Sequence, residues 1–343
     1  MPTEASASAG APERVAPALV AAATCGAALA LQSRVNGTLA EQLGELPAAT
    51  TSFGSGLVLL TLMLAVPTLR RSAARVWAAV RSGRLRWWQV LGGTAGALLV
   101  AGQTYAVPLV GVTAFLVALV GGQSAGALLV DRLGLGPRPA QRLRRGRVLA
   151  AGLAVLGVAV AATAPRGPDG ADAAAAGPAV VLPLLLVALV GALTSVQQGF
   201  NGVLTVVGGA TLATAWVNFL TGTLMLLALG GVVAATQNAP LRAAGSGLPW
   251  WVWTGGVIGI GYITAAAFAV QHLPVLVFAL VAVTTQLAAG ILIDALHPAA
   301  DDVLGPRVVT GVLLAVLGAV WAALSRRRVP RAAATRKGRS PVG

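Results

Sequence analysis

Gln32-Ser33-Arg34-Val35-Asn36-Gly37 closes the first apolar segment of the chain, and Gln197-Gln198-Gly199-Phe200-Asn201-Gly202 closes another, 165 residues later. Each copy sets a Gln four residues before an Asn-Gly pair, with an aliphatic residue (Leu39, Leu204) two after the Gly. By itself such a match carries little, because Asn-Gly marks turns and helix ends in many proteins. Its surroundings decide the matter, since they repeat in the same order. Trp87-Trp88 followed by Gly92, Gly93 and Gly96 corresponds to Trp250-Trp251 followed by Gly255, Gly256 and Gly259. Tyr105 corresponds to Phe268, Phe115 to Phe278, Gln123 to Gln286 and Asp131 to Asp294. One unit of about 150 residues is present twice.

Hydrophobic residues make up 57% of the chain and charged residues 10%, against about 25% charged in a soluble domain. Apolar runs near the roughly 20 residues of a bilayer span recur along the whole length, which identifies a polytopic, all-α membrane protein. Strands are excluded by long Ala/Leu-rich runs without period-two alternation. The formal charge of +14 does not indicate nucleic acid, because the Arg residues cluster in the connections between apolar runs. The single cysteine, Cys25, sits within an apolar run and reads as a small hydrophobe.

Ten spans can be drawn, at 15–34, 48–66, 89–107, 112–130 and 148–164, then 181–200, 213–235, 250–270, 275–293 and 308–324. Residues 1–14 are expected to be a disordered cytoplasmic N-terminus and 325–343 a basic cytoplasmic tail. The first repeat is 15–164, the linker 165–180 is extracytoplasmic, and the second repeat is 181–324. Spans three and four of each half are joined tightly, near Pro108–Gly111 and Gln271–Pro274, so each pair should be a hairpin.

Charge placement agrees with this count. With the N-terminus inside, the connections 67–88 and 131–147 and the tail carry six, six and seven basic residues, and Arg14 makes twenty. The far side receives four: Arg34, Arg166, Arg242 and Arg307. This is a strong positive-inside bias and puts both termini in the cytoplasm. Because five is odd, the second repeat enters the membrane from the opposite side, and the halves form an inverted pair. That arrangement lets a transporter exchange two mirror-like states around one central site.

Ten spans, two five-helix repeats and an Asn-Gly at the end of each repeat's first span resemble the drug/metabolite transporter superfamily, within it the YdcZ-like bacterial inner-membrane exporters. The resemblance covers about residues 15–325. It implies a multi-pass plasma-membrane protein that exports small metabolites or drugs by alternating access, without ATP. It supplies no substrate. The chain departs from the small multidrug-resistance branch, whose first helix bears a drug- and proton-binding Glu, because here that helix bears Gln32.

No acidic or basic residue lies deep in a drawn span; Asp131, Asp294 and Arg34 stand at span ends, the two acids as interfacial helix caps or as titrating groups. The absence of an intramembrane carboxylate weighs against proton antiport. Polar amides are the better candidates, since each must find a partner helix or a wet cavity. Gln123 and Gln286 occupy equivalent mid-span positions and are the first choice for solute contact. Gln103, Tyr105, Trp216 and Asn218 are further candidates, with interhelical hydrogen bonding or packing as the alternative role. Gln32, Asn36, Gln197 and Asn201 are assigned to gates. The Gly92/Gly96, Gly255/Gly259 and Gly122/Gly126 pairs are expected to pack helices closely, and the Trp pairs to anchor at the interface.

Two histidines, His272 and His297, form no metal site, and no phosphate loop or hydrolase triad is present. The basic loops look disordered and have no acidic companions apart from Asp131. An enzyme is therefore not expected, and no catalytic residue, metal or cofactor is assigned. The expected partners are a small solute and the lipid bilayer, with no nucleic acid; a homodimer is left open. The readings that compete with a coupled exporter are an uncoupled facilitator and a non-transporting sensor or scaffold.

Overall fold

An apolar element of 44 residues, Trp87–Val130, would reach about 66 Å as one straight helix, twice the hydrocarbon core of a bilayer. It does not run straight. Gly111 adopts φ 79° and ψ 168°, a conformation open to glycine, three residues after a proline that cannot donate a backbone hydrogen bond. A Cβ placed on Gly102 would lie 3.9 Å from Phe115 Cε2, although thirteen residues of straight helix would separate them by about 20 Å. The chain therefore folds back, and the hairpin expected near Pro108–Gly111 is present.

This computed structural model describes residues 15–136, 140, 145–162, 177–237, 248–272, 275–296 and 305–324. Among them all regular structure is helical. The α-helices are α1 (Val15–Leu43), α2 (Glu45–Met63), α3 (Pro67–Arg81), α4 (Gly93–Leu133, with arms on either side of Gly111) and α5 (Arg145–Ala162). They continue with α6 (Gly177–Gly208), α7 (Thr211–Gln237), α8 (Gly255–His272), α9 (Val275–Ala295) and α10 (Pro306–Leu324). Short 3-10 helices at Trp87–Gly92 and Trp250–Thr254 lead into α4 and α8. Among the described residues five stretches are long and apolar enough to cross a membrane: Val15–Leu43, Glu45–Met63, Trp87–Val130, Val180–Gly208 and Thr211–Thr236. Shorter apolar helical stretches lie in α5, α9 and α10.

The packing follows the repeat. α1 lies along α8 and α9, and α6 lies along both arms of α4. Two further pairs join equivalent helices to each other: α2 packs on α7 and α5 on α10. In the first pair the Phe53 and Phe219 rings stack with centroids 4.9 Å apart. Phe53 covers Gly222 of α7 while Phe219 covers Gly56 of α2. In the second, Gly157 faces the Gly311 carbonyl and Gly318 faces that of Ala150. Small residues on one helix meet large or backbone groups on its equivalent, in both directions, which allows the close approach that apolar helices need in lipid.

Three expectations are corrected. The Gln-x-x-x-Asn-Gly stretches do not close their helices: α1 continues to Leu43 and α6 to Gly208. The terminators are Gly44 (φ 86°) and Gly209 (φ 75°), themselves 165 residues apart, whose N–H groups reach Ala40 O and Thr205 O at 2.8 Å. Left-handed glycines end helices in this way. Gly37 remains helical because it is there for contact: a Cβ would fall 2.8 Å from Val107 Cγ1. The second correction is one of helix bounds: Arg34, drawn at the end of the first span, is not at a helix end but half-buried, nine residues before the end of α1.

The third concerns residues 67–88, which do not form a disordered basic loop. Pro67 opens α3 at a position where its missing N–H costs nothing. Leu69, Ser72, Ala73, Val76 and Ala79 fall on one buried face against α6 and α7, and the arginines fall on the other. The helix stops at Ser82-Gly83, where Gly83 has φ 71°. The expected N-terminus, most of the linker, the C-terminal tail, His297, and the side chains of Asp131, His272 and Phe278 lie outside the described residues.

Candidate functional site

Two glycine grooves organise the polar residues. On α8, Gly255 and Gly259 are one turn apart, and the Gln32 and Asn36 amides of α1, also one turn apart, lie in the groove they leave. A Cβ on Gly255 would stand 2.5 Å from Asn36 Oδ1, and one on Gly259 2.8 Å from Gln32 Nε2. Gln32 Nε2 donates to Gly255 O at 2.9 Å. Asn36 Nδ2 donates to Gln103 Oε1 at 2.6 Å, and Gln103 Nε2 to Ser33 Oγ at 3.1 Å. Asn36 and Gln103 are fully buried. This cluster joins α1, α4 and α8 toward the end of the bundle where α1 gives way to α2.

The second cluster is its counterpart near α3. Gly92 and Gly96 form the groove, and a Cβ on Gly96 would lie 2.9 Å from Gln197 Nε2. Gln197 Nε2 donates to Asn218 Oδ1 at 3.0 Å. Asn218 Nδ2 in turn donates to Asn201 Oδ1 at 2.7 Å and to Thr214 O at 2.8 Å. The glycine pairs and the amide motifs, separate features in the sequence, are two halves of one contact. Gln103 and Asn218 belong to these clusters as partners of the gating amides.

Gln123 and Gln286 are not brought into either cluster. Their backbone nitrogens sit where α4 and α9 meet the first helix of the other repeat: a Cβ on Gly191 would be 3.0 Å from Gln123 N, and one on Gly26 2.8 Å from Gln286 N. Gln123 O accepts from Ser195 Oγ at 2.8 Å. Gln286 is 5% exposed, and its Nε2 has no hydrogen-bond partner. A buried, unpaired amide donor costs about 1–3 kcal/mol, a penalty that a ligand accepting from Gln286 Nε2 would relieve. Trp216 donates its indole N–H to Thr61 Oγ1 at 3.1 Å. The exposed Trp87 and Trp250 fit interfacial anchors, whereas Trp88 packs inward on Phe200 at 5.1 Å.

Asp294 is buried, and its carboxylate oxygens accept from Val112 N at 3.0 Å and Thr113 N at 2.7 Å. It caps the second arm of α4 at the positive end of that arm's dipole. The helix-cap alternative is thus realised, on a helix 181 residues away and buried rather than interfacial.

Cavities open at both ends of the bundle. One of about 510 Å³ opens at the α3 end, between the end of α2, α3, the α6–α7 turn and Thr264 and Phe268 of α8. The other, about 150 Å³, lies at the opposite end and is lined by Glu41, Glu45 and Tyr105 among others. Tyr105 thus lines a cavity. Glu41 and Glu45 carry opposite sign to the arginines of α3 and are assigned no role by the sequence analysis. Their spacing of four residues across Gly44 was the available signal.

A family model described as "Putative inner membrane exporter, YdcZ" matches residues 17–160 and again 182–321. The chain belongs to the YdcZ family. The two matches bracket the two halves that pack as equivalents, so the drug/metabolite transporter resemblance, the duplication and the inner-membrane exporter class all stand. No curated protein matches the chain.

Proposed function

We infer that this YdcZ-family protein is a secondary exporter of small metabolites or drugs that works by alternating access across ten spans, arranged as two inverted five-helix repeats. The observation that carries this reading is the pair of amide-in-glycine clusters, one toward each end of the bundle, in which an equivalent Gln/Asn pair of one repeat lies against an equivalent Gly pair of the other, with Gln103 and Asn218 as non-equivalent third partners. The α3 end is cytoplasmic, as are both termini. Gln32, Asn36 and Gln103 close the outer passage, and Gln197, Asn201 and Asn218 the inner one. Each closure exchanges neutral hydrogen bonds between helices and water, so no charge need cross the membrane with it. Gln123 and Gln286 contact the solute between them. No step calls for an enzyme activity, a cofactor or a metal.

Topology is tested in a Cys25→Ala background, which removes the one native thiol. Glu41→Cys and Val206→Cys, exposed and equivalent positions three residues before Gly44 and Gly209, should label from opposite sides with an impermeant maleimide. Labelling from one side would remove the inverted-repeat reading.

The solute site is tested by Gln286→Leu and Gln123→Leu. Because Gln286 Nε2 has no partner to lose, Gln286→Leu should leave stability within about 1 kcal/mol of wild type or raise it. Solute affinity should nevertheless fall about tenfold or more. Wild-type affinity in both variants, read by ligand-induced thermal stabilisation, would sink the central-site assignment.

An uncoupled carrier is favoured over a proton antiporter by Asp294. Its two oxygens are committed to Val112 and Thr113 N–H groups, so a role in helix capping accounts for this buried acid without a proton relay.

A further inference from the structure

We propose that the cavity at the α3 end is the loading site of the exporter and that it selects amphipathic organic anions, with Arg71 and Arg75 holding a carboxylate or phosphate head. The proposal rests on the export reading above for its direction. A volume of about 510 Å³ suits a metabolite-sized ligand. Arg71 and Arg75 both line it, and among the described residues no acidic side chain does. Arg71 Nε is spent on Pro67 O at 3.2 Å, which fixes the guanidinium and leaves its terminal nitrogens for a ligand. Arg75 lies over the α6–α7 turn, where a Cβ on Gly209 would be 3.0 Å from its Nη1. Met63, Leu212 and Phe268 supply an apolar wall, so the cavity is built for a charged head and a hydrocarbon or aromatic body.

The positive-inside rule accounts for arginines in this connection but not for their placement. Arg70 is exposed too and does not line the cavity, whereas Arg71 and Arg75, one turn apart, both do. The cavity at the other end is lined by Glu41 and Glu45 and disfavours the same ligand. An anion is therefore attracted where it loads and repelled where it leaves. A membrane potential negative inside adds a driving force of roughly 50-fold per 100 mV for a monovalent anion. An uncoupled carrier for anions is on this account an exporter, without any proton relay.

The test uses the full-length protein in detergent and in proteoliposomes, with phenylbutyrate and phenyl phosphate as anionic probes and phenylbutylamine and phenylbutanol as cationic and neutral isosteres. The anions should raise the unfolding temperature and the isosteres should not. R71A and R75A should each weaken anion binding about tenfold or more, R71K/R75K should restore part of it, and R70A should bind as wild type. With a potassium diffusion potential, phenylbutyrate should accumulate on the positive side at a rate that R71A/R75A lowers at least as much. No Arg71- and Arg75-dependent binding of either anion would overturn the proposal. So would arginine-dependent stabilisation by phosphatidylglycerol alone, which would make this a lipid headgroup site. Flux of phenylbutylamine that is indifferent to both arginines would overturn the anion assignment while leaving export intact. Arginine-dependent anion binding with no flux of any probe would uphold the site and remove the export reading.

Discussion

Gly122→Val is expected to separate α4 from α6 and to destabilise the protein by more than about 3 kcal/mol, the upper end of overpacking costs. A Cβ at Gly122 would fall on the carbonyl of Ala188, and one at Gly126 would stand 2.5 Å from the Ala192 carbonyl oxygen. From the other helix, Gly191 meets the Leu119 carbonyl. These obstacles are backbone, so no side chain can rotate out of the way. In lipid there is little hydrophobic force to offset a separation, because tails are as apolar as the surface exposed, and close packing is what holds the two helices. Gly152→Val in α5 is the control, since nothing lies within 4 Å of its Cβ position. Thermal unfolding of the purified variants would check this. A Gly122→Val protein as stable as the Gly152→Val protein would show that the α4–α6 contact is not as tight as described.

The duplication, the hairpin at Gly111 and the list of polar residues worth attention were legible in the sequence, because each is a local pattern or a repeat of one. What those residues touch was not. Asn36-Gly37 reads as a helix end, since both residues favour the left-handed turn; in a packed bundle, close contact with Val107 and hydrogen bonding to Gln103 keep the helix going instead. The helix ends fall at Gly44 and Gly209, equivalent glycines whose repeat was available but lay outside the motif. The run from Pro67 to Arg81 reads as a charged loop when its arginines are counted, and as an amphipathic helix when Leu69, Ala73 and Val76 are placed at helical spacing. Counting charge answered a question about orientation and concealed one about structure. The pairing of Gln32 with Gly255 spans 223 residues, and no window along the chain can reveal it.

The same distance hid the role of Asp294, which gives the second large expected effect. Asp294→Ala should destabilise the protein by about 3 kcal/mol or more, because two hydrogen bonds to a charged acceptor are each worth about 1.5–3 kcal/mol. Its loss would leave Val112 and Thr113 N–H groups unpaired in a place where only 5% of the carboxylate side chain's residue surface is exposed. Those donors begin the second arm of α4, directly after the left-handed Gly111, so the variant should open the hairpin rather than any site along α9. Asp294→Asn keeps one acceptor oxygen and should lose about half as much. If Asp294 only caps this arm, flux per folded molecule in proteoliposomes should stay within about twofold of wild type in Asp294→Asn, with no new pH dependence. A stable Asp294→Asn protein that had lost proton-driven flux would make the carboxylate a coupling group, and the uncoupled reading would fall with it.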